Sequence, residues 1–256
     1  MNLKSNKKPN TSWNKAADWY DELLATDPDS YQCKVILPNI LRLMDIKRGE
    51  QIADIACGQG YFTEAFYKQS GSVVGVDIAS KLIQLASKHS PKIQYHVASA
   101  ESMPFLASNS FDKVAIILAL QNMVDVNGVI KEAHRILKSK GSLYIVLNHP
   151  AFRVLKESSW GWDEKMKAQY RRIDRYISEA QVKIQMHPGD NPKDITLSFH
   201  RPFQFYFKIF HKNGLAVTRL EEWISHRTSE RGPRAIAEDR ARKEIPLFLA
   251  IETIKL

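Results

Sequence analysis

Cysteine is nearly absent. Cys33 and Cys57 are the two cysteines in 256 residues, too few for a disulfide framework, and neither has a partner at the spacing of a zinc ligand set. Long apolar runs are missing as well. The longest, around residues 114–120, falls well short of the roughly 18 residues that a membrane-crossing helix needs, so no span is expected. The basic opening Met1-Asn2-Leu3-Lys4-Ser5-Asn6-Lys7-Lys8 is not followed by the apolar core of a signal peptide, which makes the cytoplasm the expected location.

Blocks of one charge sign are also lacking. Lysine and arginine outnumber aspartate and glutamate by 37 to 28, a surplus that would suit a polyanion if it were clustered. Lys4, Lys7, Lys8 and Lys15 precede any acid but open the chain in a polar stretch, and residues 1–12 read as a disordered basic tail. Between residues 153 and 194 the bases interleave with Glu157, Asp163, Glu164, Asp174, Glu179 and Asp190. Glu230, Glu238, Asp239 and Glu244 dilute the arginines of residues 227–243. Such mixing describes a solvated surface, and nucleic acid is not the expected partner.

What is present is a rhythm. Apolar residues recur at helical spacing over 13–24 and again over 31–44, where Val35, Ile36, Ile40, Leu41 and Leu43 form a stripe interrupted by Pro38; residues 13–45 read as cap helices. From residue 51, short apolar runs at 51–55, 72–77, 93–97, 111–118 and 142–148 alternate with amphipathic helices at 61–69, 80–88 and 128–137. This alternation predicts right-handed crossovers and a parallel sheet over residues 46–150. After His149-Pro150 the rhythm changes. Residues 151–194 carry Trp160, Trp162, Tyr170 and Tyr176 among charges in a mostly helical pattern, read as a lid insertion over a substrate. The sheet pattern is expected to resume through 195–199, a helix over 202–213 stopped by Gly214, and strands at 216–223 and 246–254, so that residues 195–256 complete the core.

The chemistry concentrates in one loop. A strand ending at Asp54 runs into Ala56-Cys57-Gly58-Gln59-Gly60 and then a helix, which places small residues where the backbone turns sharply and approaches a ligand. Asp77 ends the next strand, where a carboxylate can accept hydrogen bonds from both hydroxyls of a ribose. A dinucleotide site is the rival reading. Its G-x-G-x-x-G fingerprint, started at Gly58, requires a third small residue where Thr63 stands. An acid at Asp54 suits an amine and a sulfonium better than a pyrophosphate.

Asp54-Ile55-Ala56-Cys57-Gly58-Gln59-Gly60 resembles the first motif of the class I S-adenosylmethionine-dependent methyltransferases. Asp77-Ile78 resembles the second, Ala100-Glu101-Ser102-Met103-Pro104-Phe105 with Asn109-Ser110-Phe111-Asp112 the third and fourth, and Glu132-Ala133-His134-Arg135-Ile136-Leu137-Lys138 with Gly141 the helix and turn before the fifth strand. In the Methyltransferase type 11 branch a Tyr-Asp pair in an N-terminal helix closes over the cofactor, and Tyr20-Asp21 looks like that pair. The resemblance implies a Rossmann-like α/β fold with a seven-stranded, mostly parallel sheet in the order 3-2-1-4-5-7-6, the last strand antiparallel. It also implies S-adenosyl-L-methionine as cofactor, leaving as S-adenosyl-L-homocysteine. Asp54 would lie beneath the methionine end, Ala56, Gly58 and Gly60 against the cofactor, Asp77 on the ribose, and Ile78 and Leu118 beside the ligand. The family often has an acid just before the Ala-Glu pair. Here Ser99 stands there, leaving the adenine to Ala100 and Glu101.

The expected reaction is methyl transfer to a small-molecule oxygen, nitrogen or carbon nucleophile without a metal. No Asn-Pro-Pro-Tyr or Asp-Pro-Pro-Tyr follows the fourth strand, where Leu118-Ala119-Leu120-Gln121 stands, and there is no Pro-Cys; these absences argue against nucleic-acid bases as acceptors. Acids clustered to hold magnesium are lacking too. Gln121 and Asn122 are candidate acceptor contacts at the carboxyl end of the sheet. His149 and His200 are candidate bases, and Trp160 and Tyr170 candidate stacking walls for a planar or cationic acceptor. The alternative function is an S-adenosylmethionine-binding enzyme or accessory subunit acting on RNA or protein.

Overall fold

The computed structural model describes residues 12–185 and 195–256. The expected basic tail, apart from Ser12, and the end of the insertion lie outside the described residues. The first elements are α1 (Trp13–Thr26), a π-helical turn over Gln32–Ile36, and α2 (Leu37–Met44). Pro38 has no N–H to donate four residues back, and its ring crowds that turn. The wider turn before it lets the helix continue: the Leu37 N–H reaches the Gln32 carbonyl, and the Asn39 side chain donates from Nδ2 to the Val35 carbonyl at 2.9 Å. Pro38 therefore changes the winding without ending the helix.

The alternating middle of the chain folds as β1 (Ile52–Ile55), α3 (Tyr61–Ser70), β2 (Val73–Asp77), α4 (Ser80–His89), β3 (Gln94–Val97), β4 (Phe111–Ile117), α5 (Val126–Ile136) and β5 (Leu137–Asn148). β1 pairs in parallel with both β2 and β4, β2 with β3, and β4 with β5. Every residue of β1 and nearly every residue of β4 is buried, the pattern of strands covered on both faces. One covering layer packs Val126, Ile130 and Ala133 of α5 against the sheet. The other packs Ile40 and Met44 of α2 with Phe62 and Phe66 of α3.

The insertion departs from expectation. β6 (Ser158–Asp163) and β7 (Ala168–Ile173) form one antiparallel pair, and β8 (Ala180–Gln185) with β9 (Ile195–His200) forms another, both outside the main sheet. Residues 151–194 are thus not a helical lid where they are described, and residues 195–199 do not join the core. The period explains both. Ala180-Gln181-Val182-Lys183-Ile184-Gln185 alternates apolar and polar residues strictly, and its burial alternates with it, which is a strand signal. In β9 the buried face is polar, Thr196, Ser198 and His200, so it cannot sit against an apolar core.

The chain closes with α6 (Phe203–Lys212), β10 (Leu215–Trp223), α7 (Ala235–Glu244) and β11 (Phe248–Lys255). The helix α7 falls in a stretch read from sequence only as mixed charge. β11 enters antiparallel between β5 and β10, and the sheet order is β10-β11-β5-β4-β1-β2-β3. Apart from the two strand pairs of the insertion, this is the order 3-2-1-4-5-7-6 with the last strand antiparallel. The order reverses direction at β1, and a ligand crevice forms there, beyond the carboxyl ends of β1, β2 and β4. Among the described residues no helix is long and apolar enough to cross a membrane.

Candidate active site

Three strand ends open into a cavity of about 290 Å³. Its floor is the loop after β1, where Ala56 and Gly58 adopt left-handed backbone, with φ of 59° and 60°. Leu118, following β4, does so too, at φ 54°. A non-glycine residue held in this region stores strain, and such strain clusters where a ligand must be approached closely. Gly60 has a different task. It does not line the cavity; a Cβ there would stand 2.6 Å from the Tyr95 hydroxyl and 3.2 Å from Ala86, at φ 88°. It lets α3 begin against α4 and β3. We therefore expect Gly60→Ala to lower stability by about 1–3 kcal/mol, combining left-handed strain with the clash, as read by denaturant unfolding; wild-type stability would refute this.

The cavity is acidic throughout. Asp54, Asp77 and Glu101 line it, and among the described residues no lysine, arginine or histidine does. Asp77 is nearly buried and accepts from two backbone groups, Gly58 N–H to Oδ2 at 2.9 Å and Ala79 N–H to Oδ1 at 2.8 Å. Burial raises its pKa, while those N–H groups oppose the shift. A carboxylate has about four acceptor positions, so both oxygens keep room for a further donor. Asp54 is buried and accepts from the Thr63 hydroxyl at 2.6 Å. Burial pushes its carboxyl up to about 7, the Thr63 bond pulls the other way, and the charge of Asp77 adds to the rise. Thr63, which sequence reasoning treated only as an obstacle to close packing, is the residue that orients Asp54.

The roof comes from distant segments. Trp13 and Tyr20 of α1 line the cavity, their rings edge to face at 6.0 Å, and the Tyr20 ring lies 3.7 Å from where a Gly58 Cβ would be. Asp21 does not face the cavity. It meets His89 Nε2 at the end of α4 at 2.8 Å, while Asn14 Oδ1 accepts from Lys81 N–H at 3.0 Å, so α1 is laced along α4. Asn122, Met123 and Val124 supply the wall beyond β4. Arg201, just after β9, donates from Nη2 to the carbonyls of Met123 and Val124 at 2.9 and 3.1 Å, and thereby ties the insertion to this wall. Trp13 and Arg201 were not legible as site residues, because nothing local marks them.

Of the remaining sequence candidates, Ile78 and Ala100 line the same cavity, as does Ser99. The Ser99 hydroxyl accepts from the Glu101 N–H at 3.3 Å. Gln121 turns away: its Nε2 donates to the Leu118 carbonyl at 2.7 Å, and it borders a second cavity of about 30 Å³ with His200 and Arg201. His200 sits there bonded to the Tyr176 carbonyl at 2.7 Å. Trp160 borders a third cavity. Tyr170 borders none of these three; its ring fills the space beside Gly161, at 2.4 Å from where a Cβ would stand.

The expectation for His149 requires correction. It is buried, outside the cavity, and both ring nitrogens are engaged: Nδ1 accepts from the N–H groups of Ala151 and Phe152 at 3.2 and 3.3 Å, and Nε2 lies 2.7 Å from Glu222 Oε1. With Nδ1 accepting, Nε2 carries the proton and donates to Glu222. Burial lowers the pKa, against the pull of Glu222. This is a turn-forming imidazole with no nitrogen left for an acceptor proton. We expect His149→Ala to cost about 1–3 kcal/mol of stability through the unpaired groups it leaves, with S-adenosylhomocysteine affinity unchanged by calorimetry. A loss of affinity at intact stability would restore it to the site.

A doubly wound sheet with acids at the ends of β1 and β2 bordering its switch-point crevice is the arrangement of the class I S-adenosylmethionine-dependent methyltransferases. Residues 53–145 match the Methyltransferase domain family, type 11. A demethylmenaquinone methyltransferase of Chlorobaculum parvum is 32% identical over 130 residues, 50% of this chain and 54% of that protein. A ubiquinone/menaquinone biosynthesis C-methyltransferase, UbiE, of Hahella chejuensis is 29% identical over 160 residues, 56% of this chain and 63% of its own length. The chain thus spans little more than half the length of these relatives. Among solved structures, an S-adenosylmethionine-dependent methyltransferase from Mesorhizobium loti superposes with a TM-score of 0.67 at 24% identity, covering 85% of this chain and 96% of that one, a likeness of fold.

Proposed function

We propose that this chain transfers the methyl group of S-adenosylmethionine to a small-molecule oxygen, nitrogen or carbon nucleophile, without a metal. The observation that carries this reading is the cavity at the ends of β1, β2 and β4, lined by three acidic side chains and, among the described residues, no base. Such a lining repels a pyrophosphate and attracts a ligand that is cationic at one end and bears hydroxyls at the other. Asp77 holds the ribose hydroxyls, and Asp54, aligned by Thr63, faces the cationic methionine end. Gly58 permits close backbone approach, while Ile78, Ala100 and Glu101 border the adenine and Leu118 the centre of the cofactor.

The cofactor supplies a methyl group on a sulfonium that is already a good leaving group. The chain then has to align the nucleophile, exclude water and keep the site rigid. Tyr20 and Trp13 close one side; Asn122 and its neighbours form the side open to the acceptor. With both His149 nitrogens occupied, the reading requires no histidine base there and suits an acceptor whose nucleophile arrives ionised. The relatives named for quinone biosynthesis support a small, flat acceptor.

The decisive experiment incubates the protein with methyl-labelled cofactor and separate pools of small metabolites, proteins and RNA. Label in the small-molecule pool is the expected result. Label confined to macromolecules would replace this reading with the RNA- or protein-directed one.

A further inference from the structure

Two arginines of the insertion have no acidic partner among the described residues. Arg153 and Arg171 line a cavity of about 180 Å³ together with Tyr31, Phe152, Trp160 and Leu247. Their neighbours Arg172 and Arg175 pair with Asp174 and Glu157, but neither Arg153 nor Arg171 forms an ion pair with a described carboxylate. Arg171 is fixed in place: Nε donates to the Phe152 carbonyl at 2.8 Å and Nη2 to the Ser158 hydroxyl at 2.7 Å. Its guanidinium lies 5.2 Å from the Trp160 ring centroid. Arg153 Nη1 donates to Asn148 Oδ1 at 3.1 Å. Desolvation lowers the pKa of the Arg153 guanidinium, Tyr31 opposes the shift, and the nearby charge of Arg171 adds a smaller lowering.

Arg171 is part-buried and Arg153 exposed, and two like charges lining one cavity without a described counter-charge make a place where an anion is favoured. The walls are aromatic, and the Trp160 face already carries a guanidinium, so an entering ring meets a cation together with an apolar surface. This is the opposite of the first cavity, whose charged lining among the described residues is acidic. Place matters too. Phe152 and Arg153 follow β5, and Leu247 precedes β11; β5 lies between β11 and β4, and Leu118 at the end of β4 borders the first cavity. Two strand spacings, about 10 Å, separate β4 from β11, a span that a two-ring aromatic acid covers.

We propose that Arg153 and Arg171 bind the carboxylate, or an equivalent acidic oxygen group, of a flat aromatic ligand, and that this ligand is the methyl acceptor, a step that rests on the methyl-transfer reading above. The arginines select against a neutral ring and set which edge of the acceptor faces the first cavity.

The test titrates the full chain with 2-naphthoate and with its uncharged isostere 2-naphthamide, and in parallel with S-adenosylhomocysteine. The expected result is naphthoate binding at least tenfold tighter than naphthamide, reduced about tenfold in both Arg153→Gln and Arg171→Gln, partly restored in Arg171→Lys, with S-adenosylhomocysteine affinity unchanged. Equal affinity for the two probes, no binding of either, or full naphthoate binding in both glutamine variants would overturn the proposal. If the variants fail to fold, the wild-type comparison of the two probes still decides. Naphthoate selectivity in a protein that does not bind S-adenosylhomocysteine would support the anion site and defeat the methyl-transfer reading instead.

Discussion

Replacing Asp77 by alanine is expected to weaken S-adenosylhomocysteine binding by roughly 1–3 kcal/mol, a loss of about 5- to 150-fold, measured by calorimetry. Two losses combine. The carboxylate oxygens that would accept the ribose hydroxyls disappear, and the acceptors of the Gly58 and Ala79 N–H groups go with them. The second loss loosens the glycine loop that forms the cavity floor, so asparagine is no mild substitute: it can accept at one position but turns an N–H₂ toward a backbone N–H at the other. Asp77→Asn should therefore lie close to Asp77→Ala. Unchanged affinity in both would remove Asp77 from the site.

The second large effect belongs to Asp54 and depends on pH. Its carboxyl keeps its proton up to about 7 in the unliganded fold because burial disfavours the charge, whereas the unfolded chain releases it near the usual value of about 3.9. Between those limits the folded state binds one more proton than the unfolded state. The contribution to stability is thus complete at acid pH, declines as pH rises from about 4 to about 7, and is gone above. Asp54→Asn should remove this dependence and stabilise the unliganded protein at pH 8 by roughly 2–4 kcal/mol, visible as a raised Tm.

Binding should run the other way. A cationic methionine end requires ionised Asp54, so wild-type affinity for S-adenosylmethionine should climb as pH approaches 7 and level off beyond it, and the asparagine variant should bind weakly with a flat profile. A wild-type profile that is already flat between pH 5.5 and 8 would separate Asp54 from the ligand. Thr63→Val offers a milder probe. Removing its hydroxyl donor should move the midpoint of the binding profile to higher pH, because that bond favours the carboxylate.

Much of the cofactor half of the fold can be read along the chain. The parallel strands announce themselves as short apolar runs, the glycine loop and Asp77 sit at fixed places relative to strand ends, and Asp54, Ala56, Gly58, Ile78 and Ala100 all border one cavity. Gly60 illustrates the limit of such reading. A glycine in a turn signals positive φ or close approach, but not whether the approaching group is a ligand or, as here, a tyrosine of β3. The insertion shows a different limit. Its aromatics at Trp160 and Trp162 follow a two-residue period that points to strands, yet the charged residues around them imitate an amphipathic helix.

The amino-acid order by itself determined the strand sequence, the strand–loop–helix that forms the cavity floor and the acid at the end of β2, because each depends on interactions within one short segment. Only the tertiary structure decided what those parts face. It occupied both nitrogens of His149, put Thr63 on Asp54, brought Arg201 from beyond β9 to the loop after β4, and left Arg153 and Arg171 on one cavity with no acidic partner among the described residues. Some of these contacts join segments distant in sequence, as His149 to Glu222 and Arg201 to the loop after β4, and the energy of each depends on burial and on the charges nearby, which no local pattern records.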